Sequence, residues 1–314
     1  MAIVGETING RYTDTHIVLG KGSYASVRLG ELQRPNGDDE WCALKFPQAR
    51  CAADLEAEID ILGKLEHPNV VALMDVLRSS QDGKIIMVIP YAHFDLSSYL
   101  LSQRMHDDVA RGVSRQVAEG VKYVHAQRII HRDIKPGNIL LFMDSGSSSP
   151  SVDAGETRVA LRVWLSDFDM AREVSAVAHR AMTKSKMTTV TAPMTTHVCT
   201  SWYRAPEVLV ATTTPDLLDA YVTDAKEKIK YGMSMDVWSY GAVVYEMLAG
   251  KPLARAADGA GIVALLLGTL GPCPTECLYS ALPEWVVLTK VARELETSRQ
   301  RIPAEWAVPA ACLK

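Results

Sequence analysis

The sequence predicts an α+β fold with a small β-rich N-terminal lobe and a larger α-rich C-terminal lobe. Apolar residues alternate with polar ones through residues 12–47, and this period of two is typical of half-buried strands. After Tyr91 the apolar period becomes helical. The 314 residues, of which 48% are hydrophobic, are enough to bury a core in each lobe. We therefore expect one domain over residues 1–314, with residues 12–91 as the first lobe and 92–314 as the second.

The first lobe is expected to contain five strands and one helix. Residues 12–47 predict three antiparallel strands, with a turn at 35–38 (PNGD) between the second and the third. Apolar residues at i, i+4 and i+7 over 55–62 predict the helix. Residues 70–76 and 84–89 predict the last two strands.

The second lobe is expected to be built on two long helices. Apolar residues at helical spacing over 109–124 predict an amphipathic helix, and residues 235–248, which are more apolar all round, predict a buried one. Residues 144–155 are rich in Ser, Gly, Asp and Pro, and residues 175–196 are rich in Thr, Ser, Met and Lys. Both segments lack periodicity and predict mobile loops.

Charge and cysteine usage exclude several classes of function. A net charge of -4 without a long charged block gives no attraction to nucleic acids or anionic membranes, so we expect neither as a partner. The six cysteines form no CxxC pair, and Cys273 and Cys277 lack a second pair that would complete a zinc site. No signal peptide or membrane-spanning run is present. We expect a soluble protein in a reducing compartment, the cytoplasm or the nucleus.

A glycine-containing turn follows the first predicted strand. Gly20 and Gly22 lie in residues 20–27 (GKGSYASV), where a hairpin backbone can approach a polyphosphate closely. Ala25 occupies the position of the third glycine of the GxGxxG pattern. A hairpin without a ligand is the alternative interpretation.

A lysine on the third predicted strand is a candidate for binding phosphate. Lys45 follows Ala43 and Leu44 on this strand, and its ammonium can neutralise phosphate oxygens. Glu58 on the next helix is expected to face inward and to pair with it. Glu56 is the competing carboxylate, but it points further round the helix.

The most informative segment is 131–138 (HRDIKPGN), which precedes the apolar residues 139–141. Phosphoryl transfer needs a carboxylate that accepts the hydroxyl proton, a cation near the transferred group and an oxygen ligand for a metal. Asp133, Lys135 and Asn138 supply these three groups. Eight residues in this order are poorly explained as a structural loop between a helix and a strand.

These residues resemble the eukaryotic protein kinase superfamily, and the similarity runs from about residue 12 to about residue 271. The lysine two positions after Asp133 resembles the serine/threonine type. The resemblance implies a kinase fold of two lobes, ATP and Mg²⁺ as cofactors, and a protein substrate. It also implies that Asp133 is the catalytic base and that Lys135 and Lys45 assist transfer.

By the same resemblance, residues 167–169 (DFD) match the family's DFG motif. This match makes Asp167 a ligand of Mg²⁺, together with Asn138. Asp169 departs from the motif, because it replaces a glycine and adds a carboxylate beside the metal site.

Residues 89–92 (IPYA) match the family's hinge, which binds adenine. Pro90 keeps the carbonyl that adenine needs, and Ala92 offers both N–H and C=O. Asp95 is placed for the ribose hydroxyls, with the N-cap of the helix that begins at Leu96 as the alternative. The resemblance thus assigns the nucleotide site to Gly20, Gly22, Val27, Ala43, Lys45, Glu58, Ile89, Pro90, Ala92, Asp95 and Leu140.

Residues 200–207 (TSWYRAPE) resemble the end of the activation segment in the CMGC group, which contains cyclin-dependent and mitogen-activated kinases. Arg204 is the mark of that group. Thr200 is implied to lie beside Asp133 and Lys135 as part of the catalytic site. The group's preference for Ser/Thr-Pro sites becomes the expectation for the protein substrate.

Regulation is also implied by the resemblance. Thr195 lies five residues before Thr200, the spacing of an activating phosphothreonine, and would be modified by an upstream kinase. Arg132 and Arg172 are available to pair with its phosphate, but Ala57 stands where cyclin-dependent kinases carry a third arginine. Cyclin binding is therefore not supported.

Alternatives to an active kinase remain open at this point. Ala25, Asp169 and the C-terminus motivate a catalytically impaired pseudokinase that acts as a nucleotide-binding or scaffolding module, and an ATP-dependent small-molecule phosphotransferase is a third possibility. Residues 269–271 (TLG) resemble a helix end of the group. The helices that follow this segment in the group, one of which carries an arginine that pairs with the residue matching Glu207, are not recognisable before Lys314. We therefore expect a C-terminally truncated chain. Asp236, on the buried helix, is expected to hold the backbone of the catalytic loop.

Overall fold

The computed structural model describes residues 5–35, 37–48, 51–79, 83–143, 161–174, 190–191, 201–206, 208–209, 230–257 and 259–270. The chain divides into two compact units. Unit 1 comprises Met1–Tyr99, Arg115–Gln127 and Gly137–Arg172, and unit 2 comprises Leu100–Ser114, Arg128–Pro136 and Glu173–Lys314. The lobe boundary at residues 91 and 92 stays a prediction. The predicted loop 144–155, all but two residues of the predicted loop 175–196, and Thr195, Thr200, Glu207, Cys273 and Cys277 lie outside the described residues.

Unit 1 contains a six-stranded antiparallel sheet in the order β1-β2-β3-β4-β6-β5. The three predicted strands over residues 12–47 and the predicted helix are confirmed, whereas the short first strand was not predicted. The elements are β1 (Glu6–Ile8), β2 (Tyr12–Lys21), β3 (Ala25–Leu32), β4 (Glu40–Pro47), α1 (Ala52–Leu62), β5 (Asp75–Arg78) and β6 (Ile85–Pro90).

One face of this sheet forms a hydrophobic core. Cys42 and Leu44, two residues apart on β4, point to the same face, and both are fully buried. Gly30 on β3 lies opposite Cys42, and a Cβ there would lie 2.6 Å from Leu44 Cγ, so only glycine fits. The core consists of Tyr12, Leu32, Cys42, Leu44, Leu77, Ile86 and Val88.

The predicted strand over residues 70–76 is wrong at its start, because β5 begins at Asp75. Val70 and Val71 are buried, but their backbone contacts lie elsewhere: the Val71 N–H donates to the Leu165 carbonyl at 2.9 Å. Burial of these valines against another sheet produced the same apolar pattern as a strand.

That second sheet, in the order β10-β9-β7, consists of β7 (Phe94–Asp95), β9 (Ile139–Met143) and β10 (Leu161–Leu165). Its neighbour α3 (Asp107–Ala126) confirms the predicted amphipathic helix. The Asn69 amide donates to the Gln116 side chain on α3 and to the Val163 carbonyl on β10, both at 3.1 Å. This asparagine therefore joins the helix to the sheet within unit 1.

Unit 2 is centred on α4 (Ser234–Ala249), which confirms the predicted buried helix, and α5 (Gly259–Leu270). Ile130, Ala205 and Met235 share one core cluster, so the segment after residue 200 packs on the strand that leads into the catalytic loop. The remaining elements are β8 (Ile129–Ile130), β11 (Arg172–Glu173), β12 (Val190–Thr191), β13 (Lys230–Tyr231) and α2 (Leu96–Ser102). Within the described residues, no helix is long and apolar enough to cross a bilayer.

Candidate active site

The second face of the six-stranded sheet carries four of the eleven predicted nucleotide residues. Ala43 and Lys45 are two residues apart on β4 and point away from the core face. Ile89 on β6 lies directly opposite Ala43, and Val27 on β3 lies directly opposite Lys45. The strand register therefore brings these four residues into one patch of unit 1.

The Lys45 ammonium is held between two carboxylates. Its Nζ lies 2.8 Å and 2.9 Å from the two Glu58 oxygens and 2.7 Å from Asp167 Oδ1. Glu58 is 1% exposed and also accepts the Phe168 N–H at 3.2 Å. Glu56, the competing carboxylate, is exposed and contacts Arg78 instead.

Burial and charge act in opposite directions on this cluster. Burial alone lowers the pKa of Lys45, but the carboxylates of Asp167 and Glu58 more than compensate, so its pKa lies above the ordinary value. Burial raises the pKa of Glu58, and the nearby Asp167 carboxylate adds to the rise, while Lys45 opposes it. When all three groups are ionised, one positive charge faces two negative ones, which favours binding of a further cation.

Asn138 and Asp167 lie at the same end of the β9–β10 pair. Ile139 on β9 is paired with Leu165 on β10, and the Ser166 N–H donates to the Asn138 carbonyl at 2.9 Å. Asp167, the next residue, has a φ of 64°, which is unusual for a residue other than glycine. Strained backbone of this kind is concentrated at functional sites.

Glycine at positions 20 and 22 has no structural requirement within the described chain. Neither residue has a positive φ, and a Cβ added at Gly20 would meet no heavy atom within 4 Å. At Gly22 the nearest atom would be the Ala25 carbonyl oxygen at 3.8 Å, an ordinary contact. Two glycines that neither packing nor conformation explains are consistent with close approach of a ligand to this backbone.

The predicted hinge begins with the last two residues of β6. Pro90 lies opposite Cys42 at the end of the strand, and Pro90 and Ala92 are half-buried. Asp95 adopts the alternative role: its Oδ1 accepts the Ser98 N–H at 2.9 Å and caps α2. Asp95 is also directly opposite Leu140 in the β7–β9 pair, so these two predicted residues lie together.

Residues 131–136 of the predicted catalytic loop belong to unit 2, and Asn138 belongs to unit 1. Lys135 Nζ lies 2.9 Å from Asp133 Oδ2, so the predicted base and the predicted cation are paired. The buried Asp236 carboxylate accepts the N–H groups of His131 and Arg132, both at 2.8 Å, which is the structural role predicted for it. Arg132 has a φ of 70°, a rare conformation for a long side chain, and Asp236 stabilises it.

A set of residues around Tyr203 was not singled out from the sequence. The Ser239 hydroxyl on α4 donates to the Tyr203 carbonyl at 2.7 Å, and the Tyr203 hydroxyl donates to Glu246 at 2.6 Å. Burial raises the pKa of Glu246, while Tyr203 and Arg255 oppose the rise. No local sequence signal identifies these contacts, because the partners are about 40 residues apart along the chain.

Three groups of predicted residues result from these positions. Unit 1 brings together the Lys45 cluster (Lys45, Glu58 and Asp167), Asn138 and the nucleotide residues on the sheet. Unit 2 brings together Asp133 and Lys135. Thr200 and Thr195, the predicted phosphorylation site, lie outside the described residues. Arg172, predicted to bind the phosphate on Thr195, donates to the Ala171 carbonyl at 3.0 Å.

Comparison with known proteins identifies a matching family and several relatives. Residues 13–285 match the family model described as "Protein kinase domain". A Xenopus laevis mitogen-activated protein kinase 15 is 27% identical over 94% of this chain and 44% of that protein. A rat mitogen-activated protein kinase 15 is 30% identical over 82% of this chain and 40% of that protein. A probable CTD kinase subunit alpha homolog of Encephalitozoon cuniculi is 30% identical over 74% of this chain and 56% of that protein.

A solved structure, the yeast RNA Pol II CTD kinase CTDK-1 complex, contains a chain with a TM-score of 0.60 and 21% identity. The match covers 82% of this chain and 71% of that chain, and it confirms the predicted kinase fold. This chain spans about half the length of the curated relatives that it matches. The chain belongs to the protein kinase family, and its relatives confirm the predicted resemblance to the CMGC group.

Proposed function

We propose that this chain is a serine/threonine protein kinase that transfers the γ-phosphate of ATP to hydroxyl groups of a protein substrate. The observation that supports it most is the buried Lys45 ammonium between Glu58 and Asp167. Burying the charges of Lys45 and Glu58 beside the half-buried Asp167 costs free energy, and a stable fold alone gives no reason to retain them. Positioning a cation for phosphate gives such a reason.

The residues of unit 1 would bind the nucleotide. Ala43 and Ile89 supply an apolar surface for adenine, the hinge supplies Pro90 C=O and Ala92 N–H, and Lys45 binds phosphate oxygens. The carboxamide of Asn138 and the carboxylate of Asp167 are oxygen ligands, which fit Mg²⁺. When bound, Mg²⁺ would neutralise charge on the phosphates.

The residues of unit 2 would act on the substrate hydroxyl. Asp133 orients this hydroxyl and accepts its proton as the oxygen bonds to the γ-phosphorus, while the bond to the β-phosphate oxygen breaks and ADP leaves. The ion pair between Lys135 and Asp133 supports this assignment, since it holds the carboxylate in place. Thr200 is proposed to lie beside them.

The substrate sequence, the upstream activator and the compartment are also proposals. We propose Ser/Thr-Pro sites as the substrate sequence and an upstream kinase that acts on Thr195, without a requirement for a cyclin. The cytoplasm or the nucleus is the proposed compartment.

A phosphate-transfer assay tests the proposal. The purified chain, a basic model protein and radiolabelled ATP with Mg²⁺ should give labelled serine or threonine. Asp133→Asn should lower the rate by about 10²–10⁴-fold, because general-base catalysis contributes that much. Asp107→Asn, an exposed aspartate of the same unit, is the matched control and should keep the rate.

Thermal unfolding with Mg-ATP distinguishes the kinase from the alternative function, a pseudokinase that binds nucleotide without transferring phosphate. A higher Tm with Mg-ATP but no transfer in folded protein would identify the pseudokinase module. No change in Tm and no transfer would contradict both the kinase and the nucleotide-binding module.

A further inference from the structure

An exposed arginine in unit 2 is fixed on an aromatic ring. The Arg255 guanidinium lies 4.9 Å from the centroid of the Trp202 ring, and the Trp202 indole N–H donates to the Ala256 carbonyl at 3.0 Å. Ala254, on the other side of Arg255, is fully buried in a core cluster. The backbone is therefore held on both sides of Arg255, while its side chain is exposed. We call this pair the Trp202–Arg255 stack.

Among the described residues, the stack has no acidic partner close by. In the described part of the chain, no carboxylate oxygen lies within 4.0 Å of the Arg255 guanidinium. Glu246 attracts Arg255 from a greater distance, but its carboxylate accepts the Tyr203 hydroxyl. The guanidinium thus keeps N–H donors that an acceptor from another molecule can use.

Helix α4 connects the stack to the catalytic carboxylate. Asp236 binds the backbone of the loop that carries Asp133, and Ser239, one turn later, binds the Tyr203 carbonyl next to Trp202. Both contacts lie within unit 2. Because one helix contacts both segments, the stack and Asp133 keep fixed positions relative to each other.

We propose that the Trp202–Arg255 stack recognises an acidic or phosphorylated side chain of the protein substrate. The proposal rests on the proposed kinase function and names a specificity determinant for it. A guanidinium binds carboxylate or phosphate through two parallel hydrogen bonds, and stacking orients it before the ligand arrives. Little side-chain entropy is then lost on binding.

The test uses degenerate serine/threonine peptides with glutamate, phosphoserine or alanine fixed at each position around the phosphoacceptor in turn. At one position or more, the wild type should phosphorylate the glutamate or phosphoserine peptide about two- to fivefold more efficiently in kcat/KM than the alanine peptide, the usual range for exposed ion pairs. The difference should lie in KM. Comparison of the glutamate and phosphoserine peptides distinguishes the two anions.

Variants assign this preference to the stack. Arg255→Ala should reduce the ratio to about one, and Arg255→Glu should reduce it below one, because a glutamate there repels the anionic peptides. Arg111→Ala removes an exposed arginine elsewhere in unit 2 and should keep the wild-type ratio. Equal Tm values for the variants would show that each one folds.

Two outcomes would overturn the proposal: no anionic preference in the wild type, or a preference that persists in Arg255→Ala. If no peptide is phosphorylated, fluorescence anisotropy with the same labelled peptides replaces kinetics. An anionic preference in binding that Arg255→Ala abolishes would then support the stack while the kinase function fails. Equal binding of anionic and alanine peptides would refute the stack.

Discussion

Neutralising Glu58 is a direct test of the Lys45 cluster. Breaking a buried ion pair by removing one partner costs about 3–5 kcal/mol. Glu58→Gln should cost less, about 1–3 kcal/mol, because Lys45 keeps Asp167 at 2.7 Å and the glutamine carbonyl can still accept the Phe168 N–H. Lys45→Met should cost the full amount of about 3–5 kcal/mol, since it leaves Glu58 charged, buried and without its cation.

The double variant Lys45→Met/Glu58→Gln separates burial of charge from packing. It removes both buried charges of the pair, so it should be more stable than Lys45→Met alone. Urea unfolding followed by circular dichroism measures the free energies of unfolding of the wild type and of the three variants. Glu56→Gln is the control on the same helix, because its exposed pair with Arg78 should contribute less than about 1 kcal/mol.

The order of stabilities decides the outcome. Wild type should be the most stable, followed by Glu58→Gln, and Lys45→Met should be the least stable. If Lys45→Met unfolds at the wild-type urea concentration, the ammonium is not balanced against the buried carboxylate of Glu58 and the half-buried one of Asp167, and the reasoning fails. Mg-ATP should raise the Tm of the wild type but not of Lys45→Met.

Three further predictions concern residues that support the fold around the predicted site. Gly120→Ala should destabilise the protein by about 1–3 kcal/mol, because the new Cβ would lie 2.7 Å from the Asn69 carbonyl oxygen. Gly112→Ala, on the same helix with nothing within 4 Å, should instead stabilise it by about 0.5–1 kcal/mol in urea unfolding. Burial and the hydrogen bond to Asp75 raise the pKa of Tyr12 from 10.0 to about 12 in the folded protein. As pH rises from about 10 to about 12, the tyrosine therefore ionises in the unfolded state before it does so in the folded state, and the free energy of unfolding falls. In Tyr12→Phe this fall should be shallower, and an unchanged slope in pH-dependent urea unfolding would contradict the assignment. Asp236→Asn should weaken the contacts to His131 N and Arg132 N and lower kcat more than it raises KM; an unchanged kcat would show that the loop keeps its shape without this carboxylate.

Local pattern in the sequence was sufficient for the main elements. Alternation located β2 to β4, and helical spacing located α1, α3 and α4, because each element exposes one face and buries the other or is buried all round. The same rule failed at Val70 and Val71, which are buried against the β9–β10 pair without joining a strand. An apolar pattern reports burial and does not identify the partner.

Side-chain placement was predictable where helix or strand geometry fixes direction. The choice of Glu58 over Glu56 follows from the direction of their side chains, because two residues two positions apart point to different sides of a helix. The structure pairs Glu58 with Lys45. Asp95 was not decidable in this way, since one aspartate can both cap a helix and face a ligand. The contacts of Ser239, Glu246 and Arg255 depend on how α4 packs, which no short sequence pattern encodes.

Helix α4 links strain in the predicted catalytic loop to the segment at residues 201–206. The φ of 70° at Arg132 costs about 1–3 kcal/mol, as residues other than glycine rarely adopt it. Asp236 offsets this cost, because its two oxygens accept the N–H groups of His131 and Arg132. Ser239 binds the Tyr203 carbonyl from the same helix. A rotation of α4 would therefore move both the base and the segment at residues 201–206, so a substitution within α4 should change transfer rate and peptide preference together.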